Sequence, residues 1–289
     1  MNMPNTQVSQ ITPALRSWMA AQQAAGFGAP EVMQGLIKAG WSEAVVAYLL
    51  APPSALHAAA APMATAPTPL PKAMPWPAQA GERLALDAGD CQVQTVMVGQ
   101  RPPLVVFDDF LSDEECRALI EQAKPRMTRS RTVDVQTGGE VTHQSRTSQG
   151  MFFERGESDL IRRIEARIAH LLGWPVQNGE GLQVLRYEVG AQYLPHFDYF
   201  NPAAPGTPAI LQRGGQRVAT LIMYLHEPEA GGATVFPDAA LSVLPKRGSA
   251  VFFSYSQPHP DSLTLHGGAP VLSGEKWIAT KWLREREFS

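Results

Sequence analysis

Residues 215–237 read GQRVATLIMYLHEPEAGGATVFP. Two runs in this stretch, residues 217–225 and 233–236, are apolar and β-branched, and the glycine pair between them suits a turn, so both are predicted to be strands. The same pattern predicts further strands at residues 183–188, 248–255, 263–266 and 276–283. Short strands at this spacing indicate a β-sandwich or barrel.

Two helices are predicted before most of these strands. Ser112 and Glu115 carry the signature of a capping box, and the helix that follows is expected to end near Pro125. A second helix is expected at residues 159–172, where apolar residues recur on one face and Gly173 ends the pattern. This order favours a mainly β fold with flanking helices, with a double-stranded β-helix (jelly-roll) core, over an alternating βαβ sheet.

The N-terminal part of the chain differs in composition. Helical spacing of apolar residues predicts three short helices and a small all-α module over residues 1–51. Residues 52–81 are rich in alanine and proline and are predicted to be an extended linker, in which Trp76 is the side chain expected to dock on another part. The chemistry is assigned to residues 82–289. The module could serve packing, self-association or recruitment of a partner.

Composition limits the classes of function. The chain has 289 residues, 44% of them apolar, and a formal net charge of −3. It has no basic stripe, so nucleic acid is not an expected partner. No leader-like or membrane-spanning segment is recognised, so a cytoplasmic location without membrane attachment is expected. Cys91 and Cys116 are too far apart for a CxxC motif and are expected to be reduced thiols.

The tripeptide His196-Phe197-Asp198 indicates a metal site. On a strand, residues at i and i+2 point to the same face, so His196 and Asp198 could bind one ion from one side. Two histidines and one carboxylate on one face of an octahedral iron(II) leave three open positions, which an oxygenase needs for a chelating co-substrate and dioxygen. His266, before a Gly-Gly turn, and His259, between two prolines, are the alternatives for the second histidine, and the strand-end context favours His266.

A lysine on a predicted strand supports the same chemistry. Lys276 lies ten residues after His266. Its neighbours on the same face are Ile278, Thr280 and Trp282. Because a buried lysine is rare without an anionic partner, this position indicates a bound anion, and a dicarboxylate co-substrate would supply one.

Several ordered blocks accompany the HFD tripeptide over residues 100–285. They are FDDFLS at 107–112, RTSQGM at 146–151, LRYEVG at 185–190, GQRVAT at 215–220, GGATVFP at 231–237, HGG at 266–268 and KW at 276–277. Together these blocks resemble the prolyl 4-hydroxylase family of 2-oxoglutarate- and iron(II)-dependent dioxygenases. One departure is Ala269, which stands where many relatives have cysteine, at a position that is not a ligand.

The resemblance implies a set of residues for the metal and the co-substrate. The implied iron(II) ligands are His196, Asp198 and His266. Lys276 would pair with the distal carboxylate of 2-oxoglutarate, with help from Tyr187 and Thr220. L-Ascorbate would support activity, as it does for such enzymes.

The resemblance also implies where a substrate binds. The residues concerned are Arg146, Tyr193 and Trp282, with Arg146 in a mobile loop that covers the substrate. Residues 131–149 and 201–215 are rich in glycine, proline and polar residues, so both segments are expected to be lids.

The activity expected is hydroxylation of an unactivated C–H bond with release of succinate and carbon dioxide. The expected substrate is a proline-containing peptide or protein, hydroxylated at C4 of a prolyl ring, as in a procollagen-proline 4-dioxygenase-like enzyme. One alternative is the same chemistry on a free amino acid or small metabolite. Another is a catalytically silent binding module, which the intact ligands and lysine argue against.

Overall fold

The computed structural model describes Gly28 and residues 74–129, 132–133, 140–141 and 147–289. Apart from Gly28, the predicted helical module lies outside the described residues, as does most of the predicted linker. None of the helices in these ranges combines the length and the apolar character that crossing a membrane requires.

Short strands make up most of the described chain. They are β1 (Ala85–Asp87), β2 (Gln92–Gln100), β3 (Pro103–Asp108), β4 (Thr128–Arg129), β5 (Thr132–Val133), β6 (Glu140–Val141), β7 (Gln149–Phe153), β8 (Leu182–Tyr187), β9 (Tyr193–His196), β10 (Arg217–His226), β11 (Ala230–Gly231), β12 (Thr234–Phe236), β13 (Leu241–Val243), β14 (Ala250–Ser254), β15 (His266–Gly268), β16 (Val271–Ser273) and β17 (Lys276–Arg284). The α-helices among the described residues are α1 (Asp113–Ala123), α2 (Asp159–Leu172) and α3 (Thr207–Gln212).

Two antiparallel sheets organise these strands. The large sheet has nine strands in the order β1-β2-β3-β14-β10-β17-β8-β7-β4, and the small sheet has four in the order β13-β12-β15-β9. The strands β11 and β16 form a separate pair, as do β5 and β6. The described part is therefore mainly β and antiparallel with few helices, as the sequence predicted.

The central strand β10 shows how the two faces of the large sheet are used. Leu221 and Met223 pack in the cluster that contains the buried faces of α1 and α2. Ile222 and Tyr224, which alternate with them, pack in a second cluster with side chains of the small sheet, such as Phe236. Because both faces are covered there, β10 is apolar from Leu221 to Leu225 rather than alternating with polar residues.

The two predicted helices form where their end signals lie. Ser112 Oγ accepts a hydrogen bond from Glu115 N, and the Glu115 carboxylate accepts one from Ser112 N, which completes the capping box of α1. The helix α2 begins after Ser158, which accepts from Ile161 N, and ends at Gly173, which has a φ of 60°. That left-handed conformation favours glycine, so the predicted stop is confirmed.

Three details differ from the predictions. The strand β9 ends at His196, so Asp198 follows the strand instead of belonging to it. A strand was predicted over residues 263–266, ending at His266, but the observed strand β15 begins at His266 and ends at Gly268. The segment 201–215, predicted to be only loop, contains α3, which starts with Thr207 and a proline in its first turn.

The end of the predicted linker packs on the large sheet. The Trp76 ring lies 6.0 Å from the Phe252 ring, edge to face, and Trp76 N donates to Leu172 O at 3.1 Å. Met74 also packs against this core. The docking expected of Trp76 is confirmed, and the packed part of the chain already includes residues 74–81.

Candidate active site

The small sheet brings two distant histidines together. In the antiparallel register of β9 and β15, His266 lies directly opposite His196. Their ring centroids are 4.5 Å apart. Asp198 completes the group, with Oδ1 3.5 Å from His196 Nε2 and Oδ2 3.4 Å from His266 Nε2. One ligand atom from each of the three side chains lies within 4.8 Å of the others, so the predicted triad is assembled.

Backbone carbonyls fix both imidazole rings. His196 Nδ1 lies 2.9 Å from Leu194 O, and His266 Nδ1 lies 3.0 Å from Thr264 O. In the tautomer protonated at Nδ1, each ring donates to its carbonyl and leaves the Nε2 lone pair facing Asp198. This is the arrangement by which proteins orient metal-binding histidines, so the donor set fits a metal ion.

Burial sets the charge state of the triad. Burial lowers the pKa of His266 to about 4, so this imidazole is neutral near pH 7. Burial alone would raise the pKa of the Asp198 carboxyl, but its interactions with His266 and His196 hold it well below its ordinary value. A neutral imidazole and an ionised carboxylate are the forms that bind a divalent metal.

Residues near the start of β10, a strand of the large sheet, contact Asp198 and fix its position. Thr220 Oγ1 donates to Asp198 Oδ2 at 2.7 Å and lies 3.1 Å from the Tyr255 hydroxyl. Arg217 Nη1 lies 3.4 Å from the backbone oxygen of Asp198, and the same guanidinium forms a two-bond ion pair with Glu180 at 2.7 and 2.9 Å. The carboxylate is therefore fixed through both its side chain and its backbone.

Lys276 is buried at the first position of β17, where it pairs with Tyr187 of β8. Its side chain donates from Nζ to Gly232 O at 2.6 Å and lies 5.6 Å from the ring centroids of both Tyr187 and Tyr224. Among the described residues, no carboxylate forms an ion pair with it. Burial lowers the pKa of Lys276 to about 7, so a bound anion would restore the charge that burial opposes.

One cavity between the two sheets joins the triad and the lysine. The residues lining it include His196, Asp198, His266, Lys276, Tyr187, Tyr193, Thr234 and Trp282. A small molecule in this cavity could contact the Nε2 atoms and the ammonium group together. The geometry suits a metal ion and an anionic ligand in one enclosed site.

The structure also places the other predicted residues. The Tyr193 ring stacks on His196 with centroids 3.7 Å apart, and the Arg217 guanidinium lies 4.1 Å above the Trp282 ring. Thr220 contacts Asp198, and Arg146 lies outside the described residues. The competing histidine, His259, accepts a hydrogen bond from Asp261 N in a turn and takes no part in the triad.

Sequence reasoning missed the support behind the triad. Arg217 and Glu180 form a buried ion pair with Arg284, and Tyr224 donates to Thr234 Oγ1 at 2.8 Å beside Lys276. The signal available was Arg217 at the start of an apolar strand, because a charged residue there needs a partner. The position of that partner, Glu180, is not encoded in the pattern.

The family model described as "2OG-Fe(II) oxygenase superfamily" matches residues 182–284, which contain the triad and the lysine. The matched region and the geometry of the site agree, so the chain is a 2-oxoglutarate-dependent dioxygenase.

Similar proteins define the family more closely. Probable prolyl 4-hydroxylase 8 of Arabidopsis thaliana is 41% identical over 214 residues, which cover 67% of this chain and 72% of that protein. Prolyl 4-hydroxylase 5 of Arabidopsis thaliana is 42% identical over 213 residues, with coverage of 66% and 72%. The chain belongs to the prolyl 4-hydroxylase family of 2-oxoglutarate- and iron(II)-dependent dioxygenases.

A solved structure gives the same result. The viral collagen prolyl hydroxylase vCPH from Paramecium Bursaria Chlorella virus-1, in its 2OG complex, is 33% identical, with a TM-score of 0.50. The similarity covers 63% of this chain and 95% of that one. It extends the relationship from the sequence to the arrangement of the strands.

Proposed function

We propose that the chain hydroxylates C4 of a prolyl residue in a peptide or protein, with iron(II) and 2-oxoglutarate as cofactor and co-substrate. The observation that carries this proposal is the buried Lys276, which has no carboxylate partner in the described chain and lines the same cavity as the His-Asp-His triad. When bound, the metal and co-substrate supply oxidative decarboxylation by dioxygen, which gives succinate and carbon dioxide and puts one oxygen atom on the substrate.

The metal would be held by the Nε2 atoms of His196 and His266 and by one carboxylate oxygen of Asp198. Three protein donors leave further coordination positions of an octahedral ion for other ligands, and Lys276 lines the same cavity. Thr220 donates a hydrogen bond to Oδ2 of Asp198. We therefore propose that Thr220 orients the Asp198 carboxylate. Its direct contact with co-substrate stays a prediction.

The distal carboxylate of 2-oxoglutarate would bind the ammonium group of Lys276. Such a contact is charge-assisted, and in an enclosed cavity it is stronger than the same contact in water. Tyr187 and Tyr224 flank the ammonium group, and Tyr187 also lines the cavity. The lysine thereby favours an anionic ligand at this point.

Two aromatic side chains support a prolyl substrate. Tyr193 and Trp282 line the cavity close to the triad, and each ring is fixed by stacking on a neighbour. A proline-containing segment is stiff before it binds and packs well on aromatic surfaces. Relatives named as prolyl 4-hydroxylases add to this argument. Arg146, predicted to cover the substrate, remains a candidate for the same role.

Further parts of the proposal concern the context of the site. We assign the two sheets to a double-stranded β-helix, because the cavity opens between an extended sheet and a smaller facing one. L-Ascorbate would support activity by keeping the metal reduced. The division into a helical module, a linker and a catalytic domain, the role of the module in binding a partner or a second copy, and the cytoplasmic location also stay predictions.

Succinate release tests the proposal. The protein is incubated with iron(II), 2-oxoglutarate and either proline-containing peptides or free amino acids, and the products are analysed for the added mass of one oxygen. We expect succinate and hydroxylated peptide in equal amounts. Coupled turnover with a free amino acid alone would favour the small-metabolite alternative, and a lack of iron-dependent succinate release under all conditions would favour a silent binding module.

A further inference from the structure

Asp198 lies in a segment that no strand holds. The strand β9 ends at His196, and residues 197–200 belong to no sheet. A side chain in such a segment lacks the ladder of backbone hydrogen bonds that fixes His196. The carboxylate is nevertheless fully enclosed, so other contacts must fix its position.

Gln216 provides the contacts that a neighbouring strand would otherwise make. Phe200 N donates to Gln216 Oε1 at 2.8 Å, and Gln216 Nε2 donates to Phe200 O at 2.8 Å. The amide group therefore satisfies both backbone groups of Phe200, in the way that a paired residue does in an antiparallel sheet. Gln216 Oε1 also accepts from Arg217 N at 3.0 Å, which ties the amide to the start of β10.

Arg217 completes the same connection one residue later. Its guanidinium lies 3.4 Å from Asp198 O and 4.8 Å from the centre of the Phe200 ring, and its ion pair with Glu180 holds it in place. The successive residues Gln216 and Arg217 thus hold the backbone at Phe200 and at Asp198. Gln216, Phe200, Asp198 and Glu180 are buried and the Arg217 side chain is 12% exposed, so water competes little for these bonds.

We propose that Gln216 is a positioning residue for the metal site, which acts by clamping the backbone two residues after Asp198. The inference rests on the proposed role of Asp198 as a metal ligand. Gln216 does not line the cavity and has no direct contact with the triad, so its effect passes through Phe200 and the Asp198 backbone. Its loss lets the carboxylate move relative to the two imidazoles.

The test is metal affinity in Gln216→Leu, which keeps the side chain's approximate size and removes both bonds to Phe200. Cobalt(II) binding is measured by titration calorimetry on the full chain without co-substrate, so the readout does not depend on turnover. We expect the dissociation constant to rise about 10- to 100-fold, the range typical for the loss of a group that orients a metal ligand. Thermal unfolding of the metal-free protein is measured in parallel.

Gln183→Leu is the matched control, because Gln183 is also a buried glutamine of the large sheet, where it pairs with Phe152 of β7 and Thr280 of β17. We expect its metal affinity to stay close to that of the wild type even where its unfolding temperature falls. Wild-type affinity in Gln216→Leu would overturn the proposal. If Gln216→Leu does not fold, cobalt(II) affinity is measured in Gln216→Asn, which keeps the amide but shortens its reach. Wild-type affinity in Gln216→Asn would then overturn the proposal.

Asp198→Ala separates this inference from the proposed function. Loss of cobalt(II) binding in Asp198→Ala together with normal binding in Gln216→Leu would refute only the clamp. Normal binding in Asp198→Ala would refute the ligand assignment itself.

Discussion

His196 and His266 face each other across the ladder between β9 and β15, with their ring centroids 4.5 Å apart. Each ring is oriented by the backbone carbonyl two residues earlier in the chain. Because these two hydrogen bonds orient the imidazole rings in the same way, both Nε2 atoms face the carboxylate of Asp198. The pairing of two short strands is therefore what creates the metal site.

Replacing His196, Asp198 or His266 by alanine is expected to abolish iron(II) binding. Each substitution removes one of three donors, and the remaining two cannot define one face of an octahedral ion. Anaerobic titration with iron(II) measures the effect. His259→Ala is the control and should bind iron(II) normally, because His259 lies in a turn outside the triad. Loss of binding in that variant with retention in His266→Ala would reverse the assignment.

Lys276→Ala is expected to weaken 2-oxoglutarate binding and to spare the metal. Removing one partner of a buried charge pair costs about 3–5 kcal/mol, or roughly two orders of magnitude or more in affinity. The KM for 2-oxoglutarate and the affinity for cobalt(II) are measured in the same variant. An unchanged KM would remove Lys276 from the co-substrate site.

The binding of 2-oxoglutarate is also expected to depend on pH. Burial lowers the pKa of Lys276 to about 7, below its ordinary value near 10.5. The free protein therefore loses this proton as the pH rises above about 7, and binding of a dianion must then take a proton up. Affinity should be highest below pH 7 and fall by about tenfold per pH unit above it.

Lys276→Arg provides the control for this pH dependence. An arginine stays charged over the whole range, so any affinity it retains should be independent of pH between 7 and 9. Calorimetry in buffers of different ionisation enthalpy counts the protons taken up. Absence of proton uptake in the wild type above pH 7 would show that Lys276 is already charged in the free protein.

Thr220→Val distinguishes two roles for the Thr220 hydroxyl. The structure has it donating to Asp198, so its loss should raise the metal dissociation constant about tenfold, in line with a bond to a charged group worth about 1.5–3 kcal/mol. Thr280→Val, at another buried threonine of the cavity, should leave metal affinity unchanged. A raised KM for 2-oxoglutarate with normal metal affinity would instead support direct contact with the co-substrate.

Truncation tests where the catalytic part of the chain begins. Deletion of residues 1–73 is expected to preserve uncoupled turnover of 2-oxoglutarate, since it keeps every described residue that packs against the core, from Met74 onward. Deletion of residues 1–80 removes Trp76 and its contacts with Phe252 and Leu172, so its unfolding temperature should be lower. Equal unfolding temperatures in the two variants would show that Trp76 contributes nothing to stability.

The predictions from sequence were correct where interactions between residues close together in the chain decide the local structure. The capping box at Ser112 and the glycine stop at Gly173 lie within a few residues of the groups that they satisfy, so both helices were located closely. Apolar runs bounded by glycine and proline predicted β8, β10, β12, β14 and β17 of the two sheets. His196, Asp198 and His266 could be predicted because few types of residue bind metal ions. The resemblance to the prolyl 4-hydroxylase family then implied that these three are the ligands.

What sequence reasoning missed depends on long-range contacts. Asp198 was assigned to a strand, but the strand stops at His196, and the residues that hold Asp198 come from β10. Gln216 and Glu180 are ordinary polar residues in the sequence, and only the folded register brings them to their partners. The helix α3 is short and lacks a side-chain cap, so it has no local signal strong enough to predict it.

The alternation along β10 has a consequence for folding fidelity. Thr220 points to the carboxylate, whereas Leu221 points to the helices. A slip of this strand by one residue would exchange the two, because side chains alternate at a period of two. Such a misregistered molecule would remain compact, since residues 221–225 are apolar on both faces, but it would hold no aligned carboxylate. The correct register of β10 therefore distinguishes a chain that is only compact from one that can bind a metal ion.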